Sequence, residues 1–398
     1  MIQRQEYLNS LISFRDKKLI KVVTGIRRCG KSTLFELFQE YLRADGITDG
    51  QIISINLEEG EYNEIETHRQ LYSLVTEKLV PDKKTYVFID EAQRVSDFQK
   101  AVDSLYVKKN CDVYITGSNA YLLSGELATL LSGRYVEIKM LPLSFKEYVS
   151  AFPQDANIER LYTDYIKNSA FPYALEITKP KDRRQYLQGI YDTVVLKDIV
   201  ARRRFPDTAM LKSVTRFMFD NIGNLCSTKK IADTMTSAGR KISVHTVENY
   251  LTALTDSFVL YQIGRYDVKG KQHLKTGDKY YAADLGLRYA LLGTQKADMG
   301  HILENIVFLE LARRGYEIYI GKVGKTEVDF IAVGDEGEEY YQVAYTVTDT
   351  DGETLRRELA PLEAVNDHNP KYLLTMDNTP LTSHNGIKQI NVLDWLLR

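Results

Sequence analysis

Residues 19–33 read Leu19-Ile20-Lys21-Val22-Val23-Thr24-Gly25-Ile26-Arg27-Arg28-Cys29-Gly30-Lys31-Ser32-Thr33. The apolar run Leu19–Thr24 has the pattern of a buried strand in a parallel sheet. It leads directly into Gly25–Thr33, which fits G-x-x-x-x-G-K-[ST], and the helix-forming stretch Ser32–Phe38 follows. That order makes a phosphate cradle. Gly25 and Gly30 let backbone N–H groups turn toward an anion, and the helix adds its positive N-terminus. Lys31 is placed to reach the β- and γ-phosphates of ATP, and the Ser32 hydroxyl to ligate Mg²⁺.

Working outward, Gln51–Leu57 reads as a second strand, and Thr85-Tyr86-Val87-Phe88-Ile89-Asp90-Glu91 as a third ending in two acids. Lys31 and Asp90 lie 59 residues apart, room for helix, strand, helix and strand. At the carboxyl end of a parallel strand, Asp90 is placed to hold the Mg²⁺ shell and Glu91 to act as general base on the attacking water. A fourth strand, Asp112–Thr116, ends in Gly117-Ser118-Asn119, polar groups that would sense the γ-phosphate or orient the water; a plain polar turn is the other reading. Arg134, before a strand at Tyr135–Ile138, would neutralise phosphate charge in cis or from a neighbouring subunit, the latter requiring an oligomer. A surface arginine is the alternative.

The segments GIRRCGKST, VFIDEAQ, ITGSNA, LSGRY and LPLSFKEY together resemble the AAA-type P-loop ATPases of a large bacterial and archaeal family. Members carry a C-terminal winged helix and a restriction-endonuclease-like domain. The resemblance implies that Gly25, Gly30, Lys31, Ser32 and Thr33 bind nucleotide, that Asp90 and Glu91 are the Mg²⁺ and water-activating acids, and that Ser118 or Asn119 is the sensor. Arg134 matches a family arginine in position.

The 398 residues carry 52 Lys and Arg against 54 Asp and Glu, a net charge of −2, with 44% hydrophobic and 27% charged residues. This is a globular composition sized for two or three domains. No apolar run reaches membrane-spanning length, and Met1–Glu6 lacks the pattern of a signal peptide. Three scattered cysteines, Cys29, Cys111 and Cys226, make neither a disulfide framework nor a zinc site, so a cytoplasmic protein is expected. Cys29, inside the glycine loop, reads as a packing residue. The near-neutral total hides a local excess: residues 197–279 hold 15 Lys and Arg against 8 Asp and Glu, a net of +7, leaving −9 elsewhere.

Residues 151–205 read as a helical connector ending in Arg202-Arg203-Arg204. Ser227–Asp233 opens one short helix with a capping serine, and Ile242–Leu251 is a second with Val244, Val247 and Leu251 on one face. Phe258–Ile263 and Tyr280–Ala283 flank a tip carrying Lys269, Lys271, His273 and Lys275. Two helices and a basic hairpin make a winged helix-turn-helix pattern over 206–288. One reading sets the second helix in a DNA groove with the lysines on phosphates. The other makes the module a protein contact, and Glu248, with no Lys or Arg over 242–263, supports it. His245 has no metal partner spaced near it.

Gly300–Leu311 reads as an amphipathic helix stopped by Arg313-Arg314-Gly315. Strands follow at Tyr316–Ile320, Glu327–Ala332 and Glu339–Ala344, an order similar to the restriction-endonuclease-like fold. Glu304 and Asp329 fit two of its metal-site positions. Gln342 stands where an acid belongs and Ala344 where the lysine belongs, so an inactive domain is expected over 289–398.

The expected architecture is α/β: a P-loop parallel-sheet ATPase domain (1–150), the connector (151–205), a winged helix (206–288) and the endonuclease-like domain. The expected function is Mg²⁺-ATP binding and hydrolysis, with Lys31, Glu91 and Arg134 catalytic, coupled to C-terminal modules that contact DNA through 197–279 or a protein partner. Two alternatives stand beside it: a nucleotide-operated switch with little turnover, and an ATP-regulated metal-dependent nuclease. A small-molecule kinase fits the acid pair and the long extension poorly.

Overall fold

Ile20–Thr24 (β1) is buried along its whole length, and so are two of the strands it leads to, Thr85–Asp90 (β3) and Cys111–Gly117 (β4). With Ile52–Asn56 (β2) and Tyr135–Lys139 (β5) they form one parallel sheet of order β2-β3-β4-β1-β5. The computed structural model describes residues 2–119, 131, 133–200, 205, 207–270, 272–293, 298–349 and 351–398. Its chain divides into two compact units, Met1–Pro142 with Asp256–Phe258, and Leu143–Thr255 with Val259–Arg398.

In the first unit, helices cover the parallel sheet: Gln5–Phe14 (α1), Lys31–Ala44 (α2), His68–Glu77 (α3) and Phe98–Val107 (α4). Alternation along the strands splits the core into two layers. Ile20, Val22, Ile55, Val87, Ile89 and Ile115 pack against Leu71 and Val75 of α3 and Val102 and Leu105 of α4. On the opposite side, Phe35 and Phe38 of α2 meet Phe88 and Tyr114, with Phe88 and Tyr114 stacked at 4.8 Å and Phe35 edge-on to Phe88 at 5.1 Å. Lys21 would be a bare charge in that layer. It is paired with Asp112, whose carboxylate also accepts from Tyr114 Oη at 2.8 Å; burial still holds the ammonium below its ordinary pKa. A Thr67–Gln70 capping box starts α3.

The second unit holds an eight-stranded mixed sheet of Leu260–Asp267 (β6), Gln272–Ala282 (β7), Glu317–Val323 (β8), Thr326–Gly334 (β9), Gly337–Ala344 (β10), Lys371–Thr375 (β11), Thr382–His384 (β12) and Ile387–Asn391 (β13). Its order is β12-β13-β11-β10-β9-β8-β6-β7. Here two expectations change. The hairpin read as a wing is the edge of this sheet, because Arg265–Asp267 of β6 pair in parallel with Ile320–Lys322 of β8. A boundary at 288/289 therefore cuts through one sheet. Among the described residues of 206–288, three helices precede the hairpin where the sequence suggested two: Thr208–Asp220, Thr228–Ser237, capped by Ser227, and Val244–Asp256.

The second change concerns the helix Met299–Arg313. Every residue from Ile302 to Leu311 is buried, so it is a central helix and not an amphipathic one. Its polar residues are matched: Asn305 exchanges hydrogen bonds with the backbone of Ala282, and Glu310 pairs with Arg313 and Arg314. Among the described residues no helix is long and apolar enough to cross a membrane. The three cysteines are buried free thiols.

Candidate functional site

The loop after β1 has the backbone its sequence demands. Gly25 sits at φ +151° and Gly30 at φ +104°, and a Cβ on Gly25 would lie 2.1 Å from the carbonyl oxygen of Met140. Only glycine fits there. Helix α2 starts at Lys31, with Gly30 as its N-cap, so the first-turn N–H groups open at the end of the loop. Lys31 is buried, its Nζ donating to the carbonyls of Gly25 at 3.0 Å and Ile26 at 3.3 Å. Cys29 is fully buried beneath the loop.

Register places the acids beside this loop. Thr24 of β1 pairs with Gly117 of β4, and Phe88 and Ile89 of β3 pair with Tyr114 and Ile115 of β4, so the carboxyl ends of the three strands lie side by side. At those ends Thr116 Oγ1 donates to Asp90 and accepts the backbone N–H of Glu91 at 2.9 Å. Glu91 is held left-handed, at φ +54°, a conformation of about 1 kcal/mol or more for a non-glycine residue. Its Oε2 accepts from Ser118 Oγ at 3.1 Å and from the Gln93 amide. Asp90, Glu91, Ser118 and Asn119 are all buried. The structure thus groups Gly25, Gly30, Lys31, Ser32 and Thr33 at the head of α2, next to Asp90, Glu91, Ser118 and Asn119. Thr116 and Gln93 were not singled out in the sequence, although both sit inside the quoted motifs.

Arg134 is not in this group. It stands at the amino end of β5, where its carbonyl accepts from Ile20 N–H at 2.8 Å, while the glycine loop leaves the carboxyl end of β1. A five-residue strand spans about 16 Å, which puts Arg134 on the far edge of its own sheet. Its side chain, 44% exposed, pairs with Asp103 of α4. A role in cis at the phosphates is ruled out by this placement.

In the charged section of the second unit, some of the described lysines and arginines are buried or paired. Arg202–Arg204 and Lys271 lie outside the described residues. Lys279 is buried, its Nζ 2.9 Å from both Glu304 Oε1 and Glu327 Oε1 and 3.8 Å from Asp329 Oδ1. Lys212 pairs with Asp192 and Arg265 with Glu327. Lys229, Lys230, Arg240, Lys241 and Lys269 are exposed. His245 stands in solvent, 3.8 Å from Glu248.

Around Lys279 the positions read as a worn metal site are knitted together. Glu304 also accepts from Tyr281 Oη at 2.6 Å, Asp329 from Val343 N–H at 2.9 Å, and Gln342 bridges Asp329 N–H and Glu358. Burial and the neighbouring Glu304 push the Asp329 carboxyl up to about 8. The three carboxylates in turn hold the Lys279 ammonium above its ordinary value despite the burial that opposes it. Among the described residues no three His, Cys, Asp or Glu side chains are grouped to hold a metal ion. Lys279 itself comes from β7, outside the strands the motif reading covered.

Residues 17–149 match the AAA domain family, and residues 159–298 match a domain family of unknown function. The whole chain is 42% identical over 402 residues to an uncharacterized protein of Haemophilus influenzae, covering 100% of this chain and 99% of that one. This chain belongs to that protein's family. An uncharacterized protein of Methanocaldococcus jannaschii is 29% identical over 401 residues, covering 94% of this chain and 85% of its own. Among solved structures, a Walker-type ATPase of Pyrococcus abyssi superposes with a TM-score of 0.52 at 15% identity, covering 73% of this chain and 96% of that one. That likeness is one of fold. The N-terminal unit is thus a parallel-sheet α/β AAA domain of P-loop ATPase type, with the glycine loop and the acid pair together at the carboxyl ends of its strands.

Proposed function

We propose that the AAA domain binds Mg²⁺-ATP and hydrolyses it. The observation that carries this reading is the network at the strand ends, where Thr116 and Ser118 of the β4 end fix Asp90 and Glu91 beside the loop that begins at Gly25. The loop's N–H groups and the N-terminus of α2 take the phosphates, and Lys31 swings from its loop carbonyls to the β- and γ-phosphates. Ser32 and Asp90 supply one hydroxyl and one carboxylate, a sparse donor set that suits a Mg²⁺ ion held otherwise by water and phosphate oxygens. Such an ion supplies charge neutralisation at the transferring phosphoryl group. Glu91 takes the proton of the attacking water as general base, and Ser118 keeps its carboxylate aimed. Gln93 Oε1, buried and without a partner among the described residues, adds a polar group beside Glu91 for that water.

The C-terminal part is proposed as the coupled part: a helical connector, a helical section, and an endonuclease-like domain without nuclease activity whose sheet includes the β6–β7 hairpin. The exposed Lys229, Lys230, Arg240, Lys241 and Lys269 are the DNA contacts of this reading; ATPase stimulation by DNA that fades steeply with salt supports it, and stimulation only by a protein supports the partner reading. In an oligomer, Arg134 would serve a neighbour's site.

Glu91→Gln tests the catalytic assignment. The variant is expected to bind ATP like the wild type and to hydrolyse it at least about 100-fold more slowly. Normal turnover would remove Glu91 from the mechanism, and low turnover in both proteins would favour the switch.

A further inference from the structure

We propose that Arg4 is a positioning residue that ties the phosphate loop to the segment by which the chain leaves the AAA domain, so that nucleotide at the loop is felt at residues 140–143. The inference rests on the nucleotide-binding reading above.

Arg4 is 4% exposed and stands just before α1 with φ +49°. Its Nη1 donates to the carbonyl of Cys29 at 2.9 Å, inside the phosphate loop. Its Nη2 donates to the carbonyl of Leu141 at 2.6 Å. The guanidinium lies 4.9 Å over the ring of Tyr7, and Tyr7 Oη accepts the N–H of Leu141 at 3.1 Å. Both backbone polar groups of Leu141 are therefore engaged by Arg4 and Tyr7. Pro142 follows, and it is the last residue of the first unit before Leu143 opens the second. The same segment meets the loop a second time. Met140 N–H donates to the Thr24 carbonyl at 2.7 Å, and its own carbonyl abuts Gly25 too closely for a Cβ.

The chemistry of this bridge favours coupling over simple anchoring. A guanidinium is a rigid fork, so the spacing of its two carbonyl partners is fixed; moving Cys29 either drags Leu141 or breaks a buried hydrogen bond. The Cys29 carbonyl shares its peptide group with the N–H of Gly30, one of the loop donors that face a phosphate. An anion accepting from that N–H polarises the peptide, makes the carbonyl a stronger acceptor and tightens its bond to Arg4. An apolar side chain would anchor α1 equally well without burying a charge. The left-handed backbone of Arg4 adds strain that anchoring does not require.

Amide hydrogen exchange over residues 139–150, with and without Mg²⁺ and a non-hydrolysable ATP analogue, tests this in the full chain. In the wild type, nucleotide is expected to slow exchange both in the loop and over 139–150, by about fivefold or more. At saturating analogue, Arg4→Gln is expected to keep loop protection while losing the protection over 139–150, and to bind the analogue more weakly than the wild type by the reciprocity of the coupling. Tyr7→Phe keeps the ring and removes the hydroxyl that accepts Leu141 N–H; it is expected to weaken that protection, and it decides the matter if Arg4→Gln does not fold. Protection over 139–150 that is unchanged in the folded variants overturns the coupling alone. A folded wild type that binds no nucleotide overturns the nucleotide reading and the coupling with it.

Discussion

The backbone N–H of Glu91 donates to Thr116 Oγ1 at 2.9 Å, and the same hydroxyl donates to Asp90. One side chain at the end of β4 thus sets both acids at the end of β3. Thr116→Val keeps the shape and removes the hydroxyl. It is expected to lower stability by about 1–3 kcal/mol, since two buried groups lose a partner. It is also expected to lower kcat by about tenfold or more with little change in ATP affinity, because Glu91 is misplaced. Denaturant melts and steady-state kinetics check the two parts.

Lys279 holds three carboxylates from two elements: Glu304 on the central helix, and Glu327 and Asp329 on β9. Lys279→Met leaves them buried against one another. The expected loss is about 3–5 kcal/mol at neutral pH, the magnitude seen when one partner of a buried pair is removed. Part of it returns on acidification, as the crowded carboxyls take up protons that the unfolded chain binds only near pH 4. Urea melts at pH 7.5 and pH 5.5 check this; a variant as stable as the wild type at both contradicts it.

Asp284 gives a second pH effect. It caps the helix Leu285–Leu292, accepting from Leu287 N–H and Ala170 N–H, both at 2.7 Å, and from Ser169 Oγ at 3.0 Å. Burial outweighs these bonds and pushes its carboxyl up to about 6. The folded protein then binds this proton more tightly than the unfolded chain, whose carboxyl titrates near 4. The contribution is present below about pH 4, is lost as pH rises toward 6 and is level above. Over that window it amounts to about 3 kcal/mol. Asp284→Ser retains a capping oxygen and is expected to remove this slope from the difference between variant and wild-type melts.

The first unit was legible because its signals are local. Apolar strands, the glycine loop and the Asp90-Glu91 pair each declare themselves within ten residues, and the parallel sheet sets β1, β3 and β4 side by side. Of the roles open to Arg134, only the one in cis falls, because β5 runs parallel to β1 and sets a residue before it at the sheet end away from the loop. The wing was misread because an edge hairpin and a free hairpin have the same alternation; what distinguishes them is the pairing of Arg265–Asp267 with β8, some fifty residues on. Lys279 could not be assigned to the acid cluster for the same reason, since its partners lie on a helix and a strand distant in the chain. Arg4 carries no motif, and only its burial against Cys29 and Leu141 marks it.

Hydrolysis of ATP is assigned here to the Gly25–Thr33 loop of the AAA domain. Steady-state phosphate release by the full chain with Mg²⁺-ATP, wild type against Lys31→Ala, tests it most directly. Mg²⁺-dependent turnover is expected in the wild type, and its loss, with weakened ATP binding, in the variant. ATP binding and turnover that are the same in Lys31→Ala as in the wild type would contradict it.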